Sequence, residues 1–241
     1  MRLSSLETAA LSLGIGLGGA ALELFRIYME EIEAGNQRVN LVSFSSDEEL
    51  AVRHFADSLA CVRYLPTDPI CCVDVGSGGG FPGIPVKIVR PDIDMTLVES
   101  VGKKTLFLEE AIEKLRLDRT VALQERAETL GRGEEHRERY DAALLRATAP
   151  FPVAVEYTLP LVKMGGFAII FQVSAFDEDA LAGFEDVINM LGGTAAGVDA
   201  YELGPSAGGA IVRIEKTGPT PPEYPRKPGT PKKNPLKGRS I

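Results

Sequence analysis

Apolar residues recur at helical spacing through the first quarter of the chain, then give way to short runs separated by glycine. Phe25, Tyr28, Met29 and Ile32 fall on one helical face, and Val52, Phe55, Leu59 and Val62 form a second stripe. Ser4 with Glu7, and Ser46 with Glu49, have the spacing at which a hydroxyl and a carboxylate close the first turn of a helix. From residue 70 the pattern alternates. Runs at 70–75, 94–98, 120–124, 140–145 and 166–172 predict strands. Segments near 82–90, 102–116, 152–163 and 177–191 predict helices, with Gly165-Gly166 and Gly192-Gly193 as stops. Strands at about 196–202 and 210–216 flank a turn at Gly204–Gly209 and predict an antiparallel hairpin. Repeated βα units closed by a hairpin predict an α/β fold: a doubly wound, Rossmann-like sheet with one antiparallel strand, preceded by N-terminal helices. The expected division is a helical extension over 1–65, the sheet domain over 66–217 and a Pro-rich tail over 218–241.

The stretch Asp74-Val75-Gly76-Ser77-Gly78-Gly79-Gly80-Phe81-Pro82-Gly83 follows the first predicted strand. Its glycines permit a tight turn and let a ligand approach the main chain without a Cβ in the way. Pro82 has a preset φ suited to the first turn of a helix. Strand, glycine turn and helix in that order make a nucleotide-cofactor cradle. Asp74 at one strand end and Glu99 at the next suit a cofactor with an amine and a ribose, which points to S-adenosylmethionine. Gly78, Gly80 and Gly83 also match the dinucleotide fingerprint, so a NAD-dependent oxidoreductase is the competing class. Against it, Asp74 and Gly76 precede the fingerprint, and Pro82 removes an N–H from the place where a pyrophosphate would sit.

Charge changes the picture of possible partners. The chain carries −8 overall, but residues 219–241 hold six basic residues and one acid, so the tail is +5 and the first 218 residues are −13. A basic tail on an acidic body is suited to phosphate. Proline-rich and poor in apolar residues, this tail is expected to add little to the core. Cys61, Cys71 and Cys72 form no disulfide framework and no metal-ligand spacing, which predicts a reducing, cytoplasmic compartment and no metal. The apolar run 9–22 is shorter than the roughly 20 residues that span a bilayer, and predicts a packed helical region with no membrane role.

Strand ends in such a sheet gather the ligand-binding groups. Glu99 is placed to accept ribose hydroxyls, Ala127-Glu128 to read an adenine edge, and Arg146 to contact cofactor or substrate. Asn40-Leu41-Val42, His54-Phe55-Ala56-Asp57-Ser58-Leu59, the glycine turn with Ile84-Pro85, Leu97-Val98-Glu99-Ser100, Lys103-Lys104, Phe107-Leu108, Arg126-Ala127-Glu128, Arg146-Ala147 and the tail from Tyr224 to Leu236 follow in order along the chain. In these stretches the chain resembles the bacterial glucose-inhibited division B (GidB, or RsmG) family of small-subunit (16S) ribosomal RNA guanine-N7 methyltransferases. Leu145 departs from the small polar residue usual before the arginine, and residues 1–20 have no counterpart. The resemblance implies a class I methyltransferase fold and S-adenosylmethionine as donor. It also implies a guanine N7 in 16S rRNA, free or in the small subunit, as target. It puts cofactor contacts on Gly76, Phe81, Ala127, Glu128 and Arg146, to which the strand-end argument adds Glu99 and the reading of the glycine stretch adds Asp74 and Gly78. Lys103, Lys104, Arg226, Lys227, Lys232 and Lys233 are the expected RNA contacts. Guanine N7 carries no proton, so no general base is nominated, and the protein is expected to act as a monomer. A third class, an assembly factor that binds RNA without turnover, shares every one of these features.

Overall fold

The computed structural model describes residues 3–146, 149–204 and 207–238. Ala147, the Pro205-Ser206 part of the expected turn, and Arg239 lie outside them. The N-terminal region holds α1 (Ser4–Ser12), α2 (Gly19–Asn36), α3 (Asp47–Leu50) and α4 (Asp57–Leu59), with a π-helical turn at Ala51–Ala56 joining the last two. Then β1 (Cys71–Val75), α5 (Gly83–Val89), β2 (Asp94–Glu99), α6 (Gly102–Leu115), β3 (Thr120–Gln124), α7 (Ala127–Leu130), β4 (Tyr140–Leu145), α8 (Phe151–Thr158) and β5 (Val162–Gln172) alternate. They are followed by α9 (Glu178–Ala182), α10 (Glu185–Met190), β6 (Gly193–Glu202), β7 (Gly208–Lys216) and α11 (Thr230–Lys233). One seven-stranded sheet results, in the order β3-β2-β1-β4-β5-β7-β6. Strand β7 runs against both neighbours, β5 and β6, and is the reversed strand that the hairpin predicted.

Local chemistry explains where expectation and structure agree or part. Ser46 caps α3 by accepting from the Glu49 N–H at 3.1 Å, and Glu49 returns a carboxylate oxygen to the Ser45 N–H at 2.8 Å. Ser4 does not cap: α1 begins at Ser4 itself, with Leu3 ahead of it and no side-chain cap bond. The helix expected over 177–191 is two short helices, because the chain breaks at Gly183-Phe184; Asp177 caps the first by accepting from Ala180 at 2.9 Å. Gly165-Gly166 does not stop a helix. It lies inside β5, where the register with β4 shifts, and a Cβ on Gly166 would fall 2.5 Å from the Asp141 carbonyl oxygen.

Strand alternation divides the core between the two faces of the sheet. Cys72 and Leu97 join Leu6, Phe25, Tyr28, Ile32, Phe55 and Leu108 on one face, so the N-terminal helices and α6 share a cluster. Val73, Val75 and Val98 join Ala154, Val155, Ile188 and Val212 on the other. Among the described residues no helix is long and apolar enough to cross a membrane.

The tail packs more closely than its composition predicts. Tyr224 and Leu236 pack against the second cluster, and Pro225 and Pro231 are buried. Arg132 donates to the carbonyls of Pro225 and Glu223 at 2.6 and 2.8 Å. Arg137 donates to those of Tyr224 and Thr220 at 2.8 and 2.7 Å. Directed polar bonds hold a segment whose composition carries few apolar residues.

Candidate active site

The carboxyl ends of β1, β2 and β3 meet at a crevice of 190 Å³ whose lining includes Gly76, Glu99, Ser100, Ala127, Glu128, Tyr157 and Lys232. The glycine turn enters it with Gly76, Gly78 and Gly80 at φ of 75°, 57° and 99°, a region that L side chains avoid. A Cβ on Gly80 would fall 2.5 Å from Ile84 Cδ1 and 2.6 Å from the Tyr28 hydroxyl. The turn spends most of its N–H groups on protein acceptors. Gly76 and Ser77 donate to the Val98 carbonyl at 2.8 and 3.0 Å, and Gly80 and Phe81 to that of Ser77 at 2.7 and 2.9 Å. Gly83 donates to Asp74 Oδ2 at 2.9 Å, and Ile84 to the Gly80 carbonyl at 2.8 Å. Pro82, which caps α5 and is not part of its first turn, has no N–H to give. A pyrophosphate at this helix start would meet no free donor from residues 82–84, which removes the basis of the dinucleotide alternative.

Three carboxylates surround the turn, and they differ. Asp74 lies behind it, fully buried, on the face shared with Cys72. Its Oδ1 has no hydrogen-bond partner, and burial pushes its pKa up to about 7 despite the Gly83 N–H. Asp74 therefore braces the turn and does not line the crevice. Glu99 does line it: Oε2 accepts from Gly78 N–H at 3.1 Å and Oε1 from Val101 N–H at 2.8 Å. Glu128 accepts from Gly229 N–H at 2.8 Å and from the Tyr157 hydroxyl at 3.2 Å, both on Oε1. Burial and the neighbouring Glu128 push the Tyr157 phenol up to about 12, so it stays a donor.

A second set of groups gathers near Phe81. Arg146 pairs with Asp57 at 2.7 Å, donates to the Arg53 carbonyl at 2.6 Å, and stands 5.8 Å from the centre of the Phe81 ring. The Tyr201 hydroxyl donates to Asp57 Oδ1 at 2.6 Å. Two clefts, of 310 and 430 Å³, share Asp57, Arg146 and Gly208 in their linings. His54 lines the first, its Nε2 3.1 Å from the Ser43 carbonyl, and burial with the nearby Arg146 charge pushes its pKa down to about 4. Phe81 itself is buried among Tyr28, Phe55 and His54, with ring centroids 5.6, 6.0 and 5.5 Å away.

Of the residues singled out in the sequence, Gly76, Glu99, Ala127 and Glu128 come together in the crevice. Gly78 is in the turn beside them, Asp74 and Phe81 lie beneath it, and Arg146 faces the other two clefts. Lys103 is exposed and Lys104 half-buried at the start of α6; Lys227, Lys232 and Lys233 are exposed on the tail. Arg226 differs from these lysines. Its guanidinium grips fully buried Glu156 at 2.6 Å, an internal tie. Tyr157, Tyr201, Asp57 and Glu156 stand outside the site residues expected from sequence, Asp57 being named there only within the 54–59 stretch. Asp57 and Glu156 left a signal, each a lone acid in an apolar helical run that needs a cation once buried. The tyrosines left none, since only topology brings them in. Among the described residues no cluster of three or more His, Cys, Asp or Glu could hold a metal.

The family description "rRNA small subunit methyltransferase G" (GidB) matches residues 21–202. Ribosomal RNA small subunit methyltransferase G of Roseiflexus castenholzii is 40% identical over 234 residues, 97% of this chain and 100% of the relative. A variant of the 16S rRNA (adenine(1408)-N(1))-methyltransferase from Catenulisporales acidiphilia superposes with a TM-score of 0.52 at 15% identity, covering 68% of this chain and 91% of that one. TYW2 of M. jannaschii, in complex with AdoMet, gives 0.50 at 13% identity, covering 64% and 73%. At such identities the two structures establish the fold alone. The near full-length relative and the family match go further: this chain belongs to the GidB family, rRNA small subunit methyltransferase G.

Proposed function

We propose that this protein transfers a methyl group from S-adenosylmethionine to N7 of one guanine in 16S ribosomal RNA, with the donor in the crevice among Gly76, Glu99, Ala127 and Glu128. The observation that carries the cofactor assignment is the turn itself. The N–H groups of Gly76, Ser77, Gly78, Gly80 and Phe81 are spent on protein acceptors, so the turn offers shape and few donors to an anion, while two carboxylates edge the space beyond it. Family membership supports small-subunit rRNA as the substrate.

When bound, S-adenosylmethionine supplies a methyl group activated by a positive sulfonium. Glu99 keeps acceptor capacity for ribose hydroxyls, because a carboxylate offers about four lone-pair sites. Glu128 presents an acceptor to the adenine amine, beside Ala127. Asp74 fixes the helix start through Gly83 and so keeps the turn rigid. Guanine N7 brings a lone pair and no proton, so the chain has to align two reactants and need not supply a base. His54 and Asp74 fit that requirement: Asp74 is fully buried, and His54, half-buried, is neutral at physiological pH. The target base is assigned to the clefts beside Asp57 and Arg146. Exposed Lys103, Lys227, Lys232 and Lys233, with Lys104, hold RNA phosphates. Cytoplasmic location and a monomeric state complete the proposal, and the free thiols Cys61, Cys71 and Cys72 agree with a reducing compartment.

Calorimetry with S-adenosylmethionine and NADH tests the donor. Turnover on 16S rRNA and small subunits from a deletion strain separates an enzyme from an RNA-binding assembly factor. Binding of NADH alone, or donor binding without turnover on either substrate, would contradict the proposal.

A further inference from the structure

Residues 220–236 contain only the four-residue α11, yet they reach the rim of the crevice. Arg226 is the bolt. Its backbone N–H, Nε and Nη2 donate to buried Glu156 at 2.8, 2.9 and 2.6 Å. Its Nη1 donates to the Asn234 carbonyl at 2.9 Å, so one side chain ties both ends of the loop 226–234. Within that loop, Gly229 adopts φ 81° and delivers its N–H to Glu128 Oε1 at 2.8 Å. Tyr157 donates to the same oxygen, which leaves Oε2 as the acceptor for the crevice that Glu128 lines. Exposed Lys227, Lys232 and Lys233 stand on the same loop, and Lys232 also lines the crevice.

Resting on the assignment of this crevice to the methyl donor, we propose that the loop is a strap that aims Glu128 at the adenine amine and couples RNA binding to donor binding. Arg226, Gly229 and Tyr157 are positioning residues that act through Glu128. An exocyclic amine is a hydrogen-bond donor and a carboxylate only accepts, so the orientation of one carboxylate decides whether adenine is preferred. A phosphate held by the lysines restrains the loop that holds Glu128, and linkage makes the effect reciprocal.

The test compares S-adenosylhomocysteine with S-inosylhomocysteine, which lacks the amine, by calorimetry on the full chain. The parent is expected to prefer the adenosyl compound by about tenfold, the scale of a hydrogen bond to a charged group. Arg226→Lys keeps the charge opposite Glu156 but not the fork, and should weaken the adenosyl compound severalfold while leaving the inosyl one within twofold. Tyr157→Phe should lose discrimination in the same sense. Equal losses for both compounds would reduce the strap to a structural tie and overturn the positioning role. In a second arm, unmethylated 16S rRNA should tighten adenosyl binding to the parent by about fivefold, and by less in Arg226→Lys. No tightening in the parent overturns the coupling. A parent that binds neither compound overturns the crevice assignment itself.

Discussion

The glycine turn and its crevice are held by two segments that work by different physics. On one side the N-terminal helices press Phe25, Tyr28, Met29 and Ile32, all fully buried, against the sheet. Tyr28 stacks on Phe55 at 5.2 Å and donates its hydroxyl to the Gly79 carbonyl at 2.5 Å. On the other side the C-terminal strap is fastened by arginine forks on carbonyls and by Glu128 and Glu156. Apolar burial is non-directional and insensitive to which atom meets which. Charge-assisted hydrogen bonds are directional, and losing one partner leaves the other uncompensated. The apolar side therefore sets how stable the turn is, and the polar side sets how its ligand groups point.

Removing packing should do the most damage to the first side. Phe25→Ala is expected to cost about 3–5 kcal/mol in denaturant unfolding, the range for a large core side chain. Donor affinity of the molecules that remain folded should change little; an equal collapse of both would erase the contrast. On the polar side, Arg226→Ala leaves Glu156 buried without a cation and should cost about 3 kcal/mol. Replacing Glu156 as well with leucine should recover most of that stability, because a buried pair exchanged for apolar groups is close to neutral. The doubly substituted protein should still discriminate poorly between adenosyl and inosyl ligands. Recovery of discrimination along with stability would show that the strap only packs.

Glu99→Gln belongs between the two, since Glu99 bonds the turn and lines the crevice. Glutamine offers one acceptor oxygen in place of two, so either Gly78 or Val101 loses its partner. Binding of S-adenosylmethionine and of its demethylated product should both weaken by about 1–3 kcal/mol in calorimetry. Weakening of the first alone would mean that Glu99 senses the sulfonium and not the ribose.

The effects that cancel most in the parent concern pH, because two titratable groups with opposite shifts stand on the apolar side. Asp74 rises from its ordinary 3.8 to about 7, so its contribution to stability is full below pH 3.8 and lost as pH climbs toward 7. His54 falls from 6.5 to about 4, so its contribution is full above pH 6.5 and lost as pH drops toward 4. Between pH 4 and 6.5 the two slopes oppose each other. Relative to the parent, Asp74→Asn should make Tm rise more steeply with pH across that window, and His54→Gln should make it fall. Parallel profiles for all three proteins would contradict the burial argument.

The same contrast decides what could be read from the chain. Phe25, Tyr28, Met29 and Ile32 announce a buried helical face by spacing alone, and the five parallel strands by their apolar runs. The strap has no such period. Its partners, Arg132, Arg137, Glu128 and Glu156, lie some 70 to 100 residues upstream, at separations no local pattern encodes. The break at Gly183-Phe184 and the bulge at Gly165-Gly166 were unreadable for a related reason, since a glycine marks a change of direction without saying which kind. In the site, Gly76, Glu99 and Ala127-Glu128 were legible because strand ends of a doubly wound sheet converge by topology. Tyr157 and Tyr201 were not, because each reaches its carboxylate from a distant element.

The most direct measurement maps N7-methylguanine in 16S rRNA from cells lacking this gene, and from the same cells carrying either the parent gene or Gly76→Val. Gly76 sits at φ 75°, where valine is strained and its side chain intrudes beside the crevice. The parent should restore a single methylated guanine in the small-subunit RNA, and the folded Gly76→Val protein should fail to restore it while losing donor binding. An unaltered 16S methylation pattern in the deletion strain, or full restoration by Gly76→Val, would contradict the account.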